Sequence, residues 1–192
     1  MRSYPDIHHC FQAIRIETTF KFNNFLKMSA VLVNNVMNRL QEMNMMELKG
    51  TFKAIITEEG KKFPFLKVND AIVFGILDFL LEEGFQLTQA LVNDAPGCHV
   101  SLVLRREEDE LDVRSLLLMS ASGKVSDIYV RGMRTFQKPS AGLEFLVLQV
   151  EVPDLPMMRE NMMLPKRAFG QEAHITLAQR PIPANPAIPA IA

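Results

Sequence analysis

Apolar and polar positions first settle into a helical rhythm over residues 29–48. Leu32, Val33, Val36, Met37, Leu40 and Met43 recur at three- and four-residue spacing and share one face. Ser29 is placed to cap this helix and Lys49–Gly50 to end it. The rhythm then shortens to two. Over 51–57, Phe52, Ala54 and Ile56 alternate with Lys53 and Ile55, which predicts a strand, and 58–62 reads as a turn. Asn69 or Asp70 caps a second helix over 71–83, apolar almost all round and so expected to be buried, which Gly84 stops. A short strand over 85–92 and a turn over 93–97 follow, then a strand over 99–104. Residues 105–110 read as a solvated bend in which the acids from Glu107 to Glu110 neutralise Arg105 and Arg106. Further strands are predicted over 113–119, 126–133 and 144–152, with turns over 120–124 and 137–142. A short helix within 153–163, a loop over 164–173 and a final strand over 174–178 complete the pattern. From Arg180 onward, repeated prolines predict an extended tail.

Strands and helices therefore mix in an α+β class. Three segments are expected: an N-terminal arm and helix over 1–49, a main domain over 50–180 and a Pro/Ala-rich tail over 181–192. Met28–Ser29 is an alternative start that would make the arm an extension. The 192 residues carry 21 Lys and Arg against 22 Asp and Glu, a net charge of -1. That balance supplies no global positive field for a long nucleic acid, so a nucleotide ligand is expected to be small. The two cysteines, Cys10 and Cys98, make no disulfide framework and suit a reducing compartment. No apolar run reaches membrane-spanning length, and the start lacks the apolar core of a signal peptide, so no membrane partner and a cytoplasmic location are expected. The twelve methionines, several clustered near 43–46 and 157–163, suit flexible core filling.

Two tetrapeptides carry the chemistry. His99-Val100-Ser101-Leu102 and His174-Ile175-Thr176-Leu177 share the order His, apolar, hydroxyl, apolar, and each opens a predicted strand. Alternate residues of a strand share a face. His99 and Ser101 therefore point one way while Val100 and Leu102 point into the core, and His174 and Thr176 behave likewise. An imidazole titrates near neutral pH and can accept or donate a proton; a neighbouring hydroxyl can donate a hydrogen bond to a charged oxygen.

The pair resembles the signature of the 2H phosphoesterase superfamily, over roughly residues 50–180. The resemblance implies a two-lobed α+β fold with pseudo-twofold symmetry and a central cleft between antiparallel sheets, one motif coming from each lobe. It also implies cleavage of nucleotide phosphodiesters without a metal or other cofactor, one histidine as base and the other as acid, their assignment left open. Substrates of that superfamily include 2',3'-cyclic phosphates, 2',5'- and 3',5'-linked oligonucleotides and cyclic oligonucleotide messengers. The compact size and the loop before His174 are similar to the phage anti-CBASS nucleases within it, which would place the chain in a host cytoplasm. One departure is the long stretch that precedes the first motif. A second class of function is a non-catalytic nucleotide-binding or oligomerising module of the same fold, with a homo-oligomer formed through the N-terminal half.

Supporting residues are read as substrate contacts: Lys166 and Arg167 in the loop before His174, Tyr129 and Arg131 on one strand face, and Phe169 as a stacking ring. Phe63-Pro64-Phe65 is either a core anchor or a lid and base platform. Cys98 is read as buried packing. His8 and His9 are adjacent and lack metal-ligand spacing, so no metal is assigned.

Overall fold

The computed structural model describes residues 30–93, 96–166 and 172–182. Helix α1 covers 30–42 and buries Leu32, Val36 and Leu40, the face the periodicity marks. It ends earlier than expected. Asn44 turns the chain at φ 54, and strand β1 (Glu47–Ile56) begins three residues on. Lys49 and Gly50 are strand residues, not a helix stop. Gly50 is required for a different reason: a Cβ there would lie 2.6 Å from Ile128 Cδ1 and 2.9 Å from Leu66 Cβ. The expected cap Ser29 lies outside the described residues, as do His8, His9 and Cys10.

Strand β2 (Lys62–Lys67) occupies a stretch read from sequence as a core anchor or a lid and base platform, not as a strand. Pro64 donates nothing to the ladder, yet its carbonyl accepts the Leu102 N–H at 3.2 Å. The expected helix over 71–83 is two pieces, α2 (Ala71–Phe74) and α3 (Leu77–Glu82), broken at Gly75 where the Met43 side chain crosses. It is not buried all round, since Phe74 and Leu81 are exposed. Strand β3 is reduced to Gln86–Leu87, with α4 (Gln89–Val92) where the rest of a strand was expected. Strand β4 is only His99–Ser101. The charge run Arg105–Glu110 is a 3-10 turn, and Glu107 in it is committed to Arg159.

The expected strand over 113–119 is helix α5 (Val113–Ala121). Asp112 caps it, accepting the Ser115 N–H at 2.8 Å, and only Leu116 of its apolar run is buried. Strands β5 (Val125–Lys138) and β6 (Leu143–Glu151) form a long hairpin, joined through Gly142 at φ 64. Helix α6 (Leu155–Asn161) stands where a short helix was predicted. Strand β7 (His174–Pro181) runs past the expected end at 178. Arg180 pairs with the buried Glu144 at 2.6 Å and lies over Phe85, so it belongs to the fold, not to a tail.

All strand pairs are antiparallel, in the order β3-β7-β4-β2-β1-β5-β6. A further pairing of β6 with β7 closes six of these strands, β7-β4-β2-β1-β5-β6, into a ring, and β3 pairs with β7 outside that circuit. The fold is thus α+β with a seven-stranded antiparallel sheet. One face carries Phe52, Leu66, Val100, Leu148 and Ile175, which join residues of α1, α2, α5 and α6 in one buried cluster. Each such fully buried side chain contributes about 1.5–3 kcal/mol. Helix α1 thus shares the core of the sheet and does not form a separate arm. The helices pack on the face that carries this cluster; the buried Phe65 and Val147 of the opposite face are not part of it, and among the described residues that opposite face is the helix-free one. Among the described residues no helix is long and apolar enough to cross a membrane.

Candidate active site

Both motifs open their strands on the helix-free face. Val100 and Ile175 are fully buried, whereas His99, Ser101, His174 and Thr176 are half-buried. Strands β4 and β7 are antiparallel neighbours with Val100 opposite Ile175. Continuing that register puts His99 across from Thr176 and Ser101 across from His174. Paired residues of a ladder project to the same side. The four side chains therefore form a small square on one face, with the imidazoles on its diagonal and a local twofold axis between Val100 and Ile175. Diagonal positions of such a pair lie about 7–8 Å apart at the backbone.

The two histidines are held alike. His99 Nδ1 donates to the Gly97 carbonyl at 2.7 Å, and His174 Nδ1 donates to the Glu172 carbonyl at 3.0 Å. A carbonyl only accepts, so each Nδ1 carries a proton and Nε2 is the nitrogen left for proton exchange. Each imidazole is thus oriented by the carbonyl two residues before it. At the first site Gly97 adopts φ 72, a conformation open to glycine, which turns that carbonyl towards the ring. Burial pushes the His99 imidazole below its ordinary value of 6.5, and the nearby His174 and Lys67 push the same way, against the Gly97 carbonyl.

Neighbouring strands complete the face. On β2, Lys67 lies opposite His99 and Phe65 opposite Ser101. Lys67 Nζ donates to Asp70 Oδ2 at 2.7 Å, and Asp70 Oδ1 accepts the Cys98 N–H. Burial alone would raise the Asp70 carboxyl, but Lys67 and that N–H outweigh it and hold it below its ordinary value. Phe63 and Phe65 stand edge-on to His99, with ring centres 5.5 and 5.7 Å away. On β6, Gln149 lies opposite His174 and Val147 opposite Thr176. Gln149 Nε2 donates to Glu172 at 2.9 Å, and Arg134 of β5 reaches the same carboxylate at 3.5 Å. Phe136 of β5 stands edge-on to His174 at 6.1 Å. Cys98 is fully buried, and burial pushes its thiol up, as packing requires.

Beside Ser101 a cavity of about 280 Å³ opens, lined among others by Leu102, Leu155, Arg159, Lys166 and Glu172. Arg159 is 1% exposed. Its guanidinium donates to Leu102 O and Pro165 O, both at 2.7 Å, and to both carboxylate oxygens of Glu107, at 2.7 and 3.1 Å. It thereby joins the segment that leaves the first motif to the segment that leads to the second.

The supporting residues fare differently. Lys166 lines that cavity, with its ammonium 3.0 Å from Glu160. Arg167 and Phe169 lie outside the described residues. Tyr129 and Arg131 share one side of β5, as the alternation predicts. A bulge falls between Val130 and Gly132, and the Arg131 guanidinium pairs with Glu151 at 2.6 Å while lying over the Tyr129 ring. The Arg131 guanidinium is thus taken up by Glu151 and the Tyr129 ring. Lys67, Phe136 and Gln149 were not foreseen. They reach the histidines only through strand register, although the alternation Phe63, Phe65, Lys67 marks one face once β2 is known. Among the described residues no group of three His, Cys, Asp or Glu is gathered to hold a metal ion. No protein-family model, curated protein or solved structure matches the chain.

Proposed function

We propose that this chain is a metal-independent phosphodiesterase of the 2H type, cleaving a nucleotide or a short or cyclic oligonucleotide. The observation that carries the reading is the matched pair of imidazoles beside hydroxyls on one face of β4 and β7, each with Nδ1 tied to the carbonyl two residues before it. We read the ring as the two-lobed, pseudo-twofold fold of that superfamily, one motif from each half. The local twofold between Val100 and Ile175 supports this.

The chemistry follows from the proton positions. An attacking oxygen, from water or from a vicinal ribose hydroxyl, gives its proton to one imidazole Nε2 as its bond to phosphorus forms. The bond from phosphorus to the leaving oxygen breaks, and that oxygen takes a proton from the other, protonated imidazole. In this scheme His99, whose imidazole burial pushes below its ordinary value, is assigned as the base and His174 as the acid. Ser101 and Thr176 donate to the non-bridging oxygens as charge builds on them. Lys67, across from His99, adds positive charge at the same place. A small, negatively charged substrate suits a chain without a global basic field.

The test is turnover of a panel in excess chelator: 2',3'-cyclic nucleotides, 2',5'- and 3',5'-linked dinucleotides, and cyclic di- and trinucleotides. His99→Ala and His174→Ala are each expected to lower the rate at least about 100-fold, the lower range of acid–base contributions. Destruction of a signalling oligonucleotide is favoured if cyclic members turn over best. Turnover that needs a metal, or that survives both substitutions, overturns the proposal.

A further inference from the structure

Each histidine has an aromatic pair of its own. Phe63 and Phe65, with ring centres 5.6 Å apart, flank His99 from β2. Phe136 and Phe145, nearly parallel at 5.3 Å, stand on the β5–β6 side, and Phe136 meets His174 edge-on. Strand β2 borders β4, and β6 borders β7, so the two pairs lie on opposite flanks of the histidines. Phe136 keeps 38% of its surface exposed although it is a large apolar ring, and Phe63 is only half-buried. In a closed core both rings would be covered. A ring left partly open beside a polar centre is suited to receive another flat ring, and every base offers such a face.

We propose that the substrate is a phosphodiester joining two nucleosides, with one base stacked at Phe63 and the other at Phe136 while the phosphate lies between His99 and His174. This deepens the phosphodiesterase reading and rests on it. A 2',3'-cyclic mononucleotide has one base and leaves one platform unused. A linked dinucleotide, or one step of a cyclic oligonucleotide, fills both. The flanking arrangement also makes the two platforms separable: each serves one side of the scissile bond.

The experiment uses the full chain with 2',5'- and 3',5'-linked diadenosine monophosphate and adenosine 2',3'-cyclic phosphate. Wild type is expected to show a KM at least about tenfold lower on the better dinucleotide than on the cyclic mononucleotide, the scale of one base–aromatic stack. Phe63→Leu and Phe136→Leu are each expected to raise the dinucleotide KM about tenfold while kcat changes far less. Only one of them should affect the mononucleotide. Phe136→Tyr keeps a stacking ring and should restore KM, which separates lost stacking from lost folding. Equal KM for both substrates, or Leu variants without effect, overturns the two-platform assignment and leaves the phosphodiesterase reading standing. If nothing is cleaved, calorimetric titration with the same dinucleotides decides. Binding that both Leu variants weaken upholds the platforms and removes the enzyme, and no binding removes both.

Discussion

Arg159 gives the sharpest energetic test of how the site is held. Glu107→Gln preserves the size of its partner and removes the charge. The guanidinium, 1% exposed, would keep Leu102 O and Pro165 O as acceptors but would lose its anion. Breaking a buried ion pair from one side costs about 3–5 kcal/mol. The Glu107 side chain is 12% exposed, so water reaches the pair and the lower end, about 3 kcal/mol, is expected. In urea at pH 7, with a slope of about 2–3 kcal/mol per molar, the midpoint should fall by about 1 M. Acid supplies the control. The hydrogen bond from Arg159 is the main reason the Glu107 carboxyl is held below its ordinary value of 4.5. A depressed carboxyl stabilises the fold above its unfolded value, and that stability is lost as pH falls through the folded one. The gap between wild type and Glu107→Gln should therefore narrow once pH drops below 4.5. A gap under about 1 kcal/mol at pH 7, or one unchanged down to pH 3, refutes the reasoning.

Two further outcomes are expected. In the proposed scheme the base is neutral His99, whose value is depressed below 6.5, so the acid limb of kcat/KM should be centred below 6.5; a limb at or above that value would reassign the base. Gly50→Ala places a methyl group against Ile128 and Leu66 and should destabilise by about 1–3 kcal/mol, seen as a lower melting temperature. Ile128→Val removes the closest atom and should recover part of that loss; a neutral Gly50→Ala would contradict the contact.

What the sequence made legible was local. The two His-x-hydroxyl motifs were readable because alternation along a strand is imposed by the backbone itself, and Val100 and Ile175 are buried as that alternation demands. Elements failed where a local signal served another purpose. Gly50 looks like a helix stop but exists for close packing, and Pro64 looks like a strand breaker but sits where only its carbonyl is needed. The apolar run of α5 carries no clear period, and the Asp112 cap was the clue that it is a helix. Same-face logic held for Tyr129 and Arg131, whose ring and guanidinium meet, but it gave no sign that Glu151 on the neighbouring strand takes up the guanidinium. Lys67 and Phe136 were hidden for a deeper reason. They reach the histidines through pairings between segments distant along the chain, and no window of sequence contains both partners.

The closing of the ring also sets an order of events during assembly. Until β7 docks, β6 presents a nine-residue edge holding Leu146, Val147 and Leu148, a row of unpaired amides and apolar side chains able to recruit another chain. Contacts that join β7 to β4 and β3 span long loops and are slow to form. The strand that seals this edge is the one that delivers His174. A chain caught before that step lacks its second imidazole and is prone to aggregate, and the moment it gains that imidazole is the moment it stops being a hazard to its neighbours.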